Sequence, residues 1–225
     1  MAVQQWWQAA ADLILGATCP GCERPGAGLC RACRSLLGAR GVCEVDHDTL
    51  PVFSAGSYDE TARRVLEAWK ERQAWGLRRV LGERLMLAAA AALMATDHPG
   101  RWWLVPMPST PGAVRRRGMD VTAALAAEAA RGLRRAGVDA RPWRALTGRR
   151  RLRDQTGLGV AERHSNVAGA FRLRTPPRDG HVLLVDDIVT TGATLSEAHR
   201  VLCTAGARVA AAAVIADTPR RSAQS

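Results

Sequence analysis

Fourteen residues, Val182 to Leu195 (VLLVDDIVTTGATL), constrain the fold of this chain more than any other stretch. Val182 to Val185 are four apolar β-formers between the turn signal Asp179-Gly180 and two adjacent carboxylates, Asp186 and Asp187. They predict a short buried strand that stops at the acids. Thr190, Thr191 and Gly192 supply the small and hydroxyl residues of a tight loop, and Leu195, Ala198 and Leu202 then recur at helical spacing. Strand, acids, loop and helix in that order bring free backbone N–H groups and the positive end of a helix dipole to one point, where a dianionic phosphate is held. Gly192 lets the backbone come close, and Thr190, Thr191 and Thr194 add hydroxyl donors. Successive strand residues point to opposite sides, so one carboxylate is expected to face ribose hydroxyls while the other assists a magnesium-bearing ligand or orders the loop. The set suits a ribose 5-phosphate that carries a pyrophosphate.

Two plainer readings use the same residues. An apolar strand ending in Asp-Asp also occurs in nucleoside triphosphatases, but these need a Gly-Lys-Ser/Thr phosphate loop, and the only lysine here, Lys70, follows Trp69. The stretch could also be a buried parallel strand with a polar turn. The order of four apolar residues, two acids, two further residues and Thr-Thr-Gly-X-Thr resembles the phosphoribosyl-pyrophosphate (PRPP) motif of type I phosphoribosyltransferases. That resemblance implies that Asp186 and Asp187 meet the ribose 2- and 3-hydroxyls, and that Thr190, Thr191, Gly192, Ala193 and Thr194 wrap the 5-phosphate. It names a ligand, not a reaction.

A chain of 225 residues with 47% hydrophobic composition can bury one α/β core and has room for a small extra module. No apolar run reaches membrane-spanning length, and the N-terminus has Asp12 but no early Arg or Lys of a secretory signal, so no membrane insertion and a cytoplasmic location are expected. The net charge of +11 is concentrated: residues 101 to 153 hold thirteen arginines against Asp120, Glu128 and Asp139. Such a field suits a polyanion, whether pyrophosphate or nucleic acid, although charge runs are also commonly a solvated face.

Cys19-x2-Cys22 and Cys30-x2-Cys33 form two knuckles around the turn-rich Glu23 to Leu29. Thiolates prefer tetrahedral zinc, and two such turns gather four sulfurs with no position left open, so a structural zinc is predicted on Cys19, Cys22, Cys30 and Cys33. Cys43 could substitute as a ligand. His47 could compete with Cys43 for an outer role, although a lone loop histidine is usually only solvated, and Cys203 reads as a core residue.

In chain order, residues 1 to 15 predict an amphipathic helix carrying Trp6 and Trp7. The knuckle follows, ending near Cys43. A strand at Val52 to Ala55, a helix at Thr61 to Trp69 and a second helix at Leu77 to Met94 come next. Trp102 to Val105 predicts a strand ended by Pro106-Met107-Pro108-Ser109, where two prolines exclude helix and fix an extended turn at a strand's carboxyl end. Beyond Arg115-Arg116-Arg117, Asp120 is a good N-cap for a helix with Leu125, Ala129 and Leu133 inside and Gly137 at its close. Arg144 to Thr147 is a candidate strand. The stretch from Arg149 to Asn166, with Arg149, Arg150 and Arg151, reads as a functional loop or a basic linker. Strands at Ala170 to Leu173 and Arg208 to Ala216 complete the pattern. The expected division is an N-terminal helix with a four-cysteine zinc-binding module over 1–48, a main domain over 49–217 and a tail over 218–225.

These flanking pieces sharpen the resemblance. Val105 to Pro108, Arg117-Gly118, Gln155 with Leu158, Arg163 with Asn166, and Ala170-Phe171, in order between the zinc knuckle and the PRPP motif, resemble the ComF (ComFC-type) family of competence-associated phosphoribosyltransferase-like proteins. Met119-Asp120 departs from the family's usual Phe-Asn, and 149 to 153 lacks a threonine often found there. The resemblance implies an α/β fold of the type I phosphoribosyltransferase kind, an open and mainly parallel sheet flanked by helices. It implies zinc, magnesium-bound PRPP contacted also by Pro106, Met107, Pro108 and Ser109, and a role with single-stranded DNA and the DNA-uptake machinery. The concentration of Arg115, Arg116, Arg117, Arg149, Arg150 and Arg151 makes these the residues expected to meet nucleic acid in that role. An active phosphoribosyltransferase with an unknown acceptor is the alternative. Asp186, Asp187 and Arg151 would then be catalytic, with the arginine loop closing over the leaving pyrophosphate.

Overall fold

The computed structural model describes residues 17–148 and 168–218; the helix expected over 1–15, the basic loop from 149 to 166 and most of the tail lie outside the described residues. The knuckle region carries one short helix, α1 (Arg31–Leu36), and runs into strand β1 (Cys43–Val45). Then follow β2 (Val52–Ser54), α2 (Glu60–Lys70), a 3-10 turn at Trp75–Leu77, α3 (Arg78–Thr96), β3 (Trp102–Pro106) and a short α4 (Pro111–Arg117). The remainder is α5 (Val121–Arg135), β4 (Ala140–Pro142), β5 (Leu146–Gly148), β6 (Phe171–Leu173), β7 (His181–Val189), α6 (Ala193–Thr204) and β8 (Arg208–Asp217).

Six strands form one sheet in the order β1-β2-β8-β7-β3-β4. Every pairing is parallel except the edge pair β1–β2. The central strands are apolar on both faces because helices cover both, as a parallel sheet requires. Leu183 and Val185 face the layer of α2, α3 and α5, packed through Leu66, Trp69, Leu81, Leu85, Leu125 and Ala129. Val182 and Leu184 face the other layer, which contains Leu195 and Leu202 of α6 together with Trp103, Trp143 and Phe171. The antiparallel pair β5–β6 stands apart from the main sheet over this second face.

Among the described residues the predicted strands and helices are present, with instructive differences. β7 does not stop at the acids: its register with β8 continues through Asp186↔Val214 to Val189↔Asp217, because β8 extends just as far and supplies the partner backbone groups. The helix α4 was not expected from the proline-rich segment. Pro106 and Pro108 do exclude helix, but Thr110 caps the next turn, its hydroxyl accepting from the Ala113 N–H at 3.2 Å, and Pro111 occupies the first helical position, where its missing N–H costs nothing. Cys203 is exposed, 3.4 Å from His199 on the outer face of α6, and not in the core. Asp120 caps α5 as predicted, accepting from the Ala123 N–H at 3.2 Å. Among the described residues no helix is long and apolar enough to cross a membrane.

Candidate functional site: an acid-lined cleft at the carboxyl edge of the sheet

β3 ends at Pro106, which pairs with Val185, so the chain leaves the sheet there beside the two acids, while β7 continues along β8 to Val189. Crevices in open α/β sheets form at such ends. Here a cleft of about 540 Å³ is lined by Asp186 and Asp187 from β7, Thr194 from α6, Met107 to Thr110 from the loop after β3, Arg116 and Arg117 from α4, and Lys70 from α2. The two acids are successive residues of β7, yet both line this one cleft.

Asp187 is buried, and its carboxylate is ion-paired with the Lys70 ammonium. Burial alone would depress the Lys70 pKa, but the Asp187 charge outweighs it and holds the ammonium above its ordinary value. Asp186 accepts from the Asp187 N–H at 2.9 Å. Its carboxyl is pushed well above the usual carboxylate range, first by burial and then by the adjacent Asp187 charge. One lysine is paired with one of the two acids, and a cation or hydroxyl donors beside the second would favour its ionised form. Arg117 is held by Glu71 on the rim.

The turn after β7 is built for close approach. Gly192 is the N-cap residue of α6 at φ 75°, with no side chain capping the helix. A Cβ there would lie 2.1 Å from His47 Nε2, so both the left-handed backbone and the space require glycine. His47 is not a solvated bystander. Its Nδ1 accepts from the Thr49 N–H at 3.3 Å, which leaves Nε2–H to donate to the Gly192 carbonyl at 3.3 Å. Thr49 and Ser196 hydroxyls meet at 2.9 Å. The segment leaving the cysteine module therefore rests on the loop that precedes α6. Of the expected phosphate-loop residues, Thr194 lines the cleft, Thr190 is exposed, and Thr191 Oγ1 accepts from the Ala193 N–H at 3.5 Å.

A second cleft of about 320 Å³ shares Pro108 and Ser109 with the first. Arg115, Arg144 and Arg174 line it, with Pro106 and Thr147. Ser109 donates to Asp120 at 3.0 Å and Arg144 to the other Asp120 oxygen at 2.8 Å, so the N-cap of α5 also fixes this wall. Arg115 lines this second cleft, whereas Arg116 and Arg117 line the first. Arg149, Arg150 and Arg151 lie outside the described residues.

The cysteines of the two knuckles converge. The sulfurs of Cys19, Cys22, Cys30 and Cys33 lie within 4.8 Å of one another, and Cys22 and Cys30 are 3.7 Å apart. Tetrahedral zinc–thiolate geometry with bonds near 2.3 Å asks for sulfurs about 3.8 Å apart, so the set fits and could hold zinc. Burial would raise the Cys19 thiol, but the backbone N–H groups of Cys30, Cys22 and Gly21 outweigh it and bring it to about 6. Burial and then the neighbouring sulfurs push Cys33 the other way. Four thiols this close cannot all ionise without a cation. Cys43 is not one of the cluster; it begins β1.

Sequence reasoning missed Lys70, His47, Arg144 and Arg174 as residues of this region. Lys70 had a signal, as the one lysine in an arginine-rich chain; His47 had none, because its role depends on where the module docks.

The stretch that holds the acids and the loop falls within a family-model match. Residues 122–225, just under half of the chain, match the family model of the phosphoribosyl transferase domain. The DNA utilization protein YhgH of Escherichia coli O157:H7 is 40% identical over 63 residues, 28% of this chain and 28% of that protein. The Salmonella typhi protein of the same name is 42% identical over 53 residues, 24% of this chain and 23% of that one. The aligned stretches thus span under a third of these relatives. Among solved structures, orotate phosphoribosyltransferase from Aeropyrum pernix overlays 69% of this chain and 64% of its own at 19% identity and a TM-score of 0.35. Adenine phosphoribosyltransferase from Saccharomyces cerevisiae overlays 83% and 89% at 13% identity and a TM-score of 0.38. Both overlays are loose.

Proposed function

We propose that this chain, which carries a phosphoribosyl transferase domain over residues 122–225, is a PRPP-binding protein of the ComF type that handles single-stranded DNA. The observation that carries the first half is the convergence of Asp186, Asp187 and Thr194, from the first turn of α6, on one cleft with two arginines and a lysine on its walls. In this reading the carboxylates take the ribose hydroxyls of magnesium-bound PRPP. Thr190 to Thr194 take the 5-phosphate at the start of α6, and Met107 to Ser109 with Arg116 and Arg117 border the pyrophosphate. Zinc on Cys19, Cys22, Cys30 and Cys33 is structural. It orders the two knuckles of the expected 1–48 module, and the Arg40–Asp217 ion pair and the His47–Gly192 contact join the segment that follows them to the expected 49–217 domain.

The second half rests on the partial similarity to proteins described as DNA utilization proteins and on the second cleft. Arg115, Arg144 and Arg174 form a basic track beside the first cleft. Guanidinium groups bind phosphates bidentately and stack on bases, which suits a strand held with little sequence preference. Affinity for a labelled oligonucleotide should then fall with salt at a slope near −0.7 per phosphate neutralised, and Arg115/Arg144/Arg174→Ala should flatten that slope. A slope unchanged by the triple substitution, or no binding at low salt, would remove the nucleic-acid part of the reading. An active phosphoribosyltransferase is the second reading, favoured by a cleft able to take the whole donor. Pyrophosphate release from PRPP and magnesium with pooled nucleobases or amines would establish it.

A further inference from the structure

The cleft contains the chain's only lysine among 32 basic side chains, and the PRPP motif gives it no part. Lys70 is the last residue of α2, a helix whose entry is fixed by Asp59 accepting from the Ala62 N–H at 2.8 Å. Its end is anchored by the fully buried Trp69, which packs edge-on against Trp75 with ring centroids 5.2 Å apart. The backbone that carries Lys70 is therefore held at the cleft by packing that owes nothing to the acids. Its side chain is 29% exposed and pairs with Asp187, whose own side chain is 8% exposed.

That pair cannot persist in the occupied cleft if Asp187 turns to ribose hydroxyls, because a half-buried ammonium would then lose its counter-ion, at a cost well above that of a surface pair. A phosphate group brought to the same cleft is the anion that replaces it. Arginine would serve less well here: a guanidinium holds a carboxylate in a fixed fork, whereas an ammonium on a four-carbon stem can pass between two oxygen partners a few ångströms apart. We infer that Lys70 is an exchange group, paired with Asp187 in the empty cleft and with the pyrophosphate of the ligand in the filled one. The inference rests on the PRPP reading of the site, and it makes the cleft selective for ligands that carry both a ribose and a pyrophosphate.

The test compares PRPP with ribose 5-phosphate, which shares every group except the pyrophosphate, by calorimetry with magnesium on the wild-type chain, Lys70→Gln and Lys70→Arg. Exchange predicts that Lys70→Gln loses about tenfold or more in PRPP affinity and less than about threefold for ribose 5-phosphate, with partial recovery in Lys70→Arg. An equal loss for both ligands would mean that Lys70 only orders Asp187, and no loss for either would mean that it is a bystander; both outcomes overturn the inference. If the wild-type chain binds neither ligand, the PRPP reading itself has failed, a result distinct from either. Should Lys70→Gln not fold, amine acylation of the wild-type chain reads the same contact, since a single lysine gives a single side-chain amine product. PRPP must then protect Lys70 more than ribose 5-phosphate does, and equal labelling overturns the inference.

Discussion

Asp186 shows how one carboxyl can couple a site to pH. Its raised pKa comes from burial first and the Asp187 charge second. Between the ordinary carboxylate range and that raised value the folded chain holds a proton that the unfolded chain has released, so stability contributed by this group falls as pH rises through the window. A ligand bringing magnesium or hydroxyl donors favours the ionised form, so its binding should release a proton and strengthen as pH rises through the same window. Calorimetry in buffers of different ionisation enthalpy should show proton release for the wild-type chain and none attributable to this site in Asp186→Asn. The variant should also lose the decline in Tm with rising pH. Identical proton release in both would contradict the assignment. The acids themselves were legible from their place after four apolar residues, but their shared cleft was not, because the alternation rule says which face a strand residue takes and not where two walls close around a strand's end.

At the scale of elements, local chemistry and partner length divide what a sequence can show. The knuckles, the Asp120 cap and the amphipathic stripe of α5 were readable because each is decided within a few residues. β7 ran past the acids because β8 was there to pair with it, and β4 was missed because three residues beside β3 carry no periodicity. Cys203 was placed inside by residue type, whereas its position on the helix turns it outward. The cysteine module makes the sharper prediction. It has little apolar core of its own, and metal binding in such modules contributes on the order of 10 kcal/mol, so Cys22→Ser should abolish zinc retention and unfold the knuckles while the parallel sheet survives. Elemental analysis of protein purified without chelator should give one equivalent of zinc for the wild-type chain; less than half an equivalent would contradict the site.

For the molecule as a whole, both loops that border the cleft leave adjacent parallel strands, and the cysteine module rests on one of them. Arg40 pairs with Asp217 at the end of β8, and His47 reaches Gly192 at the start of α6. The cleft is therefore bordered by the sheet, and the loop before α6 is braced by the segment that leaves the cysteine knuckles. Neither docking contact was visible in sequence, since each joins residues more than a hundred positions apart. The central claim, that the cleft at Asp186 to Thr194 binds PRPP with magnesium, is tested most directly by titrating PRPP into the wild-type chain and into Asp187→Asn. Removing a buried charged acceptor costs about 1.5 to 3 kcal/mol, so the variant should bind roughly tenfold more weakly or worse. Equal PRPP affinity for the two proteins would contradict the account.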